Sequence, residues 1–166
     1  MDYLLIAGWL VLVVGAGALL RLAAPSVAAA LFSNALIGEA SGFLVLTLPV
    51  SAYFAVTEAA SPGASWGKKR LGLRVTKVAG QDLHLGRSSF RTALKFLPWE
   101  LTHAIIWRFA NPGSAPEQLL NGGLVVVWAL IAANLASALL DDRRRTLYDR
   151  VSGTCVVQMR LTAPQG

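Results

Sequence analysis

The sequence is poor in the groups that most protein chemistry uses. It has one cysteine, Cys155, in 166 residues. That excludes an internal disulfide, and no CxxC or Cys/His zinc spacing is present. The two histidines, His84 and His103, lie far apart, so neither a metal site nor a cofactor is expected. Acidic residues number nine, and charged residues make up only 14% of the chain, against about 25% in a soluble domain. No nucleophile–base arrangement and no paired carboxylates at glycosidase-like spacing occur, and no enzyme is expected. The segment Gly63-Ala64-Ser65-Trp66-Gly67-Lys68-Lys69 falls one residue short of a phosphate loop and has Lys69 where Ser or Thr is needed.

What the chain does have is apolar residues, 55% of the total, with a mean hydropathy of +0.55. Disorder needs the opposite composition. The net charge of +6 fits a nucleic-acid binder, but the cations here flank apolar runs, as in membrane proteins. No nucleic-acid partner is expected.

A spanning helix needs about 20 mostly apolar residues. Residues 4–24 qualify, with Arg21 near one end. No Lys or Arg precedes this run, and it exceeds a signal-peptide core, so it reads as a span. Residues 35–57 are a second span, with Glu39 near the start and Pro49 in the middle. Residues 119–140 carry no charge. Residues 92–110 are ambiguous, holding Lys95, Glu100, His103, Arg108 and Pro98. Charge asymmetry decides. Eight of the 15 Lys and Arg lie between Lys68 and Lys95, and five more run from Arg143 to Arg160. Cation-rich short loops belong in the cytoplasm, which places residues 59–91 and 141–166 inside. Two inside segments need an even number of crossings between them, so residues 92–110 supply one. The fold expected over residues 1–166 is a single, mainly α membrane domain of four transmembrane helices. Both termini are cytoplasmic, in a multi-pass cell-membrane protein.

In the cytoplasmic part, residues 71–78 alternate as a strand. Gly80-Gln81-Asp82 signals a turn, and Leu83–Leu85 reads as a return strand. Residues 155–161 alternate as well. The two alternating regions are expected to pair as a small antiparallel sheet. Ser88-Ser89 reads as the cap of an amphipathic helix with Phe90, Ala93, Leu94 and Leu97 on one stripe, lying at the headgroups or packed on the sheet.

The run Ser65-Trp66-Gly67-Lys68-Lys69-Arg70-Leu71-Gly72-Leu73-Arg74-Val75 resembles the T-x-G-K-R-x-x-G-L-R-V signature of the RDD family of small bacterial membrane proteins. Arg145 to Val157, with Asp149-Arg150 and Gly153-Thr154, resembles its closing motif. The resemblance runs from about Phe43 to Val157. It implies an inner-membrane protein that transports ions or small solutes, with cation/proton exchange suggested for some members. The Arg and Asp of the family's first helix have no counterpart inside residues 4–24: Asp2 precedes the run and Arg21 ends it.

Read physically, Gly67 and Gly72 suit a tight exit from the membrane. Lys68, Lys69 and Arg70 suit anionic lipid at the cytoplasmic face, at about 1 kcal/mol per cation. Asp149 is expected to pair with Arg74 or with the 143–145 run. Both motifs also fit a purely structural clamp between sheet and helices. Ionisable groups inside a bilayer are costly and point to function. Glu100 and His103 share a helix face, and together with Glu39 they are the transport candidates. Glu58, at the inner end of the second crossing, is expected to tolerate loss of its charge. The Gly38–Gly42 small-residue pair lets another helix approach closely, within the chain or between copies.

Two readings stay open: an oligomeric transporter of cations, protons or small solutes, and a non-transporting scaffold or regulatory subunit docking a protein partner through its basic face. The topology is directly testable. With Cys155 replaced by Ser, single cysteines at Ala30 and Ser114 should react with an impermeant reagent from outside. Cysteines at Gly80 and Gln165 should not, and external labelling of Gln165 would overturn four crossings.

Overall fold

A computed structural model describes residues 1–159. In chain order its elements are α1 (Asp2–Ala23), α2 (Pro25–Leu31), α3 (Ala35–Gly42), a π-helical turn (Phe43–Thr47), α4 (Leu48–Ala59), α5 (Trp66–Arg70), β1 (Leu73–Lys77), α6 (Leu85–Phe109), α7 (Glu117–Leu140), α8 (Leu147–Ser152) and β2 (Thr154–Gln158). Three helical stretches are long and apolar enough to cross a membrane: Asp2–Ala23, Ala35–Ala59 and Glu117–Leu140. Their surfaces are largely uncovered by protein. α1 has no buried residue at all, as expected for helices whose solvent is lipid.

The second stretch is continuous from α3 to α4, and Pro49 explains its π-helical turn. A proline has no N–H, and its ring crowds the carbonyl four residues back, here Val45. The wider turn relieves this, with the Leu48 N–H reaching Phe43 O. In hydrocarbon a freed carbonyl must still be satisfied. The Trp9 indole of α1 donates to Val45 O at 2.9 Å.

α6 departs from expectation. Residues 85–91, read as part of a separate headgroup helix, and residues 92–110, read as a crossing, form one helix of 25 residues. Its N-cap is His84, whose Nδ1 accepts from Arg87 N–H at 3.3 Å; Ser88 lies buried inside the helix. The apolar stripe faces away from the protein, with Phe90 and Leu97 exposed, while Arg91 is buried. α6 is too polar to count among the three spanning candidates, yet it packs between α3–α4 on one side and α7 on the other. Against α7 the contact is apolar: Ile105 lies with Leu120 and Val127, and Gly123 admits the Ile105 side chain.

β1 and β2 pair antiparallel with Val75 opposite Val156. The return strand at Leu83–Leu85 does not form. Leu83 is instead a buried residue in coil. The alternating pattern at Arg160 and Leu161 lies outside the described residues. Residues 25–31, between the first two expected spans, form α2. At the end of α7, Asp141 accepts from Arg145 Nη2 at 2.7 Å and Nε at 3.0 Å, and from backbone N–H groups. These bonds hold its carboxyl below the usual carboxylate range. Asn134 and Ser137 of α7 serve this junction: Asn134 accepts from Tyr148 N–H and Ser137 donates to Arg145 O.

Trp9→Phe keeps an aromatic ring and orphans the Val45 carbonyl. It should cost about 1–3 kcal/mol, the penalty for an unsatisfied buried acceptor, read as a lower Tm in detergent. An unchanged Tm would mean that lipid or detergent water supplies the donor.

Candidate functional site

The polar residues of α6 meet those of α3–α4 along one antiparallel seam. Arg91 faces Glu58, Glu100 faces Thr47, His103 faces Gly42, and Trp107 faces Gly38. As numbers rise on α6 they fall on its partner, so the pairing holds one register throughout. From Arg91 to Arg108 the seam runs about 25 Å at 1.5 Å per residue, close to the roughly 30 Å hydrocarbon thickness of a bilayer.

Its first end is a buried ion cluster. Arg91 Nη1 donates to Glu58 Oε2 at 2.6 Å, and Arg91 Nε donates to Asp149 Oδ1 at 2.8 Å. Lys68 Nζ donates to the other Glu58 oxygen at 2.8 Å. Glu58 is 0% exposed, Arg91 2% and Asp149 3%. Two cations and two carboxylates balance. The remaining lone pairs of Asp149 accept from Thr146 at 2.7 Å and from Thr154 at 3.0 Å. Tyr148 lays its ring 5.1 Å from the Arg91 guanidinium, and burial raises its hydroxyl above the usual phenol range. Asp149 thus pairs with neither Arg74 nor residues 143–145. Arg74 reaches Asp82 at 3.5 Å on the surface, and Arg150 is exposed. Glu58, expected to be dispensable, lies at the centre.

The glycines of the two motifs have local causes. Gly72 and Gly153 each adopt φ of +65°, a region that favours glycine. Gly72 leads into β1, and Gly153 caps α8 before Thr154 opens β2. Gly67 is required by contact: a Cβ there would lie 2.6 Å from Asp2 N. The Asp2 carboxylate accepts from Ser65 at 2.6 Å, from Gly67 N–H at 2.8 Å and from Tyr53 at 3.0 Å. It fixes the start of α1 to α4 and α5.

Further along the seam, Glu100 accepts a short hydrogen bond from the Thr47 hydroxyl, in the π-helical turn. Trp99 Nε1 also donates to Thr47, at 3.2 Å. His103 packs against Gly42 and Trp107 against Gly38; a Cβ at either glycine would overlap the facing ring. The Gly38–Gly42 pair therefore serves packing within the chain. His103 Nδ1 and Trp107 Nε1 are buried without a partner. At the far end Arg108 Nη1 donates to Glu39 Oε2 at 2.7 Å. The three transport candidates occupy one seam but not one cavity: Glu39 is held by Arg108, Glu100 by Thr47, and no hydrogen bond joins Glu100 to His103 among the described residues. No cluster of three or more His, Cys, Asp or Glu suited to a metal ion occurs among those residues either.

The sequence model of the RDD family matches residues 1–153. The chain belongs to the RDD family. The match takes in α1, which the motif resemblance had left out, and ends just before β2 begins. No curated protein and no solved structure matches the chain.

In this RDD protein the residues missed from the sequence are Asp2, Glu58 and Arg91. One available signal was charge count: a basic run with only one conspicuous nearby acid needs further buried acids to hold it. Single removals from the cluster should rank by burial. Arg91→Met should cost about 3–5 kcal/mol, because it strands two buried carboxylates. Asp149→Asn should cost less, since Glu58 still neutralises Arg91, and Lys68→Met least, because Lys68 is partly solvated. Thermal unfolding in detergent checks the order, and equal losses for Lys68→Met and Arg91→Met would refute it.

Proposed function

We propose that this RDD protein is an integral membrane protein of four crossings, α6 being the fourth, and that it moves cations or protons along the α6 seam with Glu100 as the transport carboxylate. One observation carries the reading: Glu100 stands midway along the seam, about 14 Å from Arg91 and about 12 Å from Arg108 at 1.5 Å per residue. It therefore lies near the bilayer midplane, where an acid is costly and is retained for function. Its surroundings fit that role. The facing helix is π-wound at Thr47, and π-bulges cluster at functional sites. Pro98, two residues before Glu100, deprives the Leu94 carbonyl of its helical donor, so the backbone of α6 carries a free acceptor nearly two turns from Glu100. His103 supplies a titratable ring with a free buried nitrogen, as a proton relay requires.

The chemistry is exchange at one carboxylate. Deprotonated Glu100 accepts the Thr47 hydroxyl and attracts a cation. Protonated, it releases the cation and donates instead. The buried ion cluster at one end and the Arg108–Glu39 pair at the other are internally neutral and bound the pathway. The basic segments 59–84 and 141–159 place the cluster end in the cytoplasm by the charge rule. Four helices enclose little room, so the working form is a homo-oligomer.

Proteoliposomes under imposed proton and sodium gradients test this. Glu100→Gln retains an acceptor for Thr47 and removes the charge. It should abolish flux while leaving Tm unchanged. Glu117→Gln, exposed at the start of α7, should transport as wild type. Equal flux in wild type and Glu100→Gln would remove Glu100 from the pathway. Absence of flux in folded wild-type protein would favour a scaffold that docks a partner through its basic face.

A further inference from the structure

Lys95 is the one cation of the α6 seam that has neither an ion-pair nor a hydrogen-bond partner among the described residues. Its ammonium lies 3.4 Å from the centre of the Phe54 ring and 5.4 Å from that of Phe96. Aromatic faces attract a cation, by about 2 kcal/mol or more when water is excluded, but they accept none of its three N–H donors in the way an oxygen does. Lys95 opens into a cleft of about 360 Å³ between α1, α4, α5 and α6, lined also by Asp2, Lys68 and Tyr148. The other charged side chains in that cleft are already engaged. Lys68 is bound to Glu58, and both Asp2 oxygens are held by Ser65, Gly67 and Tyr53. Lys95 is left with donors to offer.

The cleft has a tail. A second one, of about 270 Å³, shares Tyr3, Ile6 and Phe96 with the first and continues along α1 past Leu10, Leu46 and Val50 to Trp99. It is almost wholly apolar. A cationic head joined to an apolar groove of this form, open to the bilayer along a helix with no buried residue, matches an anionic amphiphile. We propose that one anionic phospholipid occupies it, its phosphate on Lys95 Nζ and one acyl chain along Ile6, Leu10, Val50 and Trp99. The proposal does not rest on transport by Glu100.

The test is native mass spectrometry and thermal unfolding of the full chain, purified in mild detergent and supplied with phosphatidylglycerol or phosphatidylcholine. Phosphatidylglycerol should stay bound one per protein and raise Tm; phosphatidylcholine should do neither. Lys95→Gln should weaken phosphatidylglycerol binding about tenfold or more, the loss of one charge-assisted hydrogen bond. Leu10→Trp fills the groove from the lipid side, far from any charge, and should expel the lipid without lowering Tm in phosphatidylcholine. Equal retention of both lipids, or of phosphatidylglycerol by both variants, would overturn the assignment. So would protection by inorganic phosphate as strong as by phosphatidylglycerol, which would make the site one for a free anion.

Discussion

The architecture depends on one buried cation. Arg91 takes a carboxylate from α4 and another from α8, and Glu58 in turn holds Lys68 of α5. Three elements thereby converge on α6. Moving such charges out of water is expensive, and their attraction offsets the cost only where every remaining hydrogen-bonding site is filled. Here Thr146, Thr154 and Lys68 fill them. Both family motifs are placed by this requirement: Gly67-Lys68 lies on one side of the cluster and Asp149 with Gly153-Thr154 on the other. The sheet joins the same two motif segments, since β1 follows the first and β2 the second. The two motifs thus lie on either side of one buried cluster, with Arg91 at its centre.

Once Arg91 sets the register, the rest of the seam follows from size. Trp107 and His103 are bulky and polar at one edge, and they need bare backbone opposite, which Gly38 and Gly42 provide. Thr47 is small enough to place its hydroxyl on Glu100. Pro49, two residues later, widens the helix at that point and exposes the Val45 carbonyl, which Trp9 takes. Polar side chains, small residues and a proline thus occupy matched positions on two helices. That allows a helix as polar as α6 to lie against a span as apolar as α3–α4.

Much of this was legible in the residues. The three apolar stretches, the pairing of residues 73–77 with 154–158 and the glycines at motif turns follow from hydropathy, alternation and positive φ. α6 was misread for a physical reason. The stripe at Phe90 and Leu97 was read as a separate headgroup helix or one packed on the sheet. Phe90 and Leu97 do face outward, but Arg91 faces in and the helix runs on unbroken to Phe109, because Arg91 is paired with acids distant in sequence. Glu58 was misread because nothing local distinguishes a terminal acid in water from one sealed by residues 33 and 10 positions away. Long-range pairing leaves no periodic trace. Asp2 was overlooked similarly: its partners, Tyr53, Ser65 and Gly67, are more than 50 residues distant.

α1 shows what such long-range polar pairing does when packing is absent. It buries no residue, so hydrophobic packing alone does not hold it, and in hydrocarbon apolar contact gives little preference for a neighbour over lipid. Its attachment rests on polar points, Asp2 at the start, Trp9 two turns on and Arg21 over the Phe32 ring near the end. A helix tethered at points rather than along a face leaves space beside it. The clefts lined by Ile6, Leu10 and Tyr3 are that space. The polar tethers and the lipid-sized groove are therefore two consequences of one fact: α1 is sequestered by hydrogen bonds in a medium where apolar burial does not discriminate.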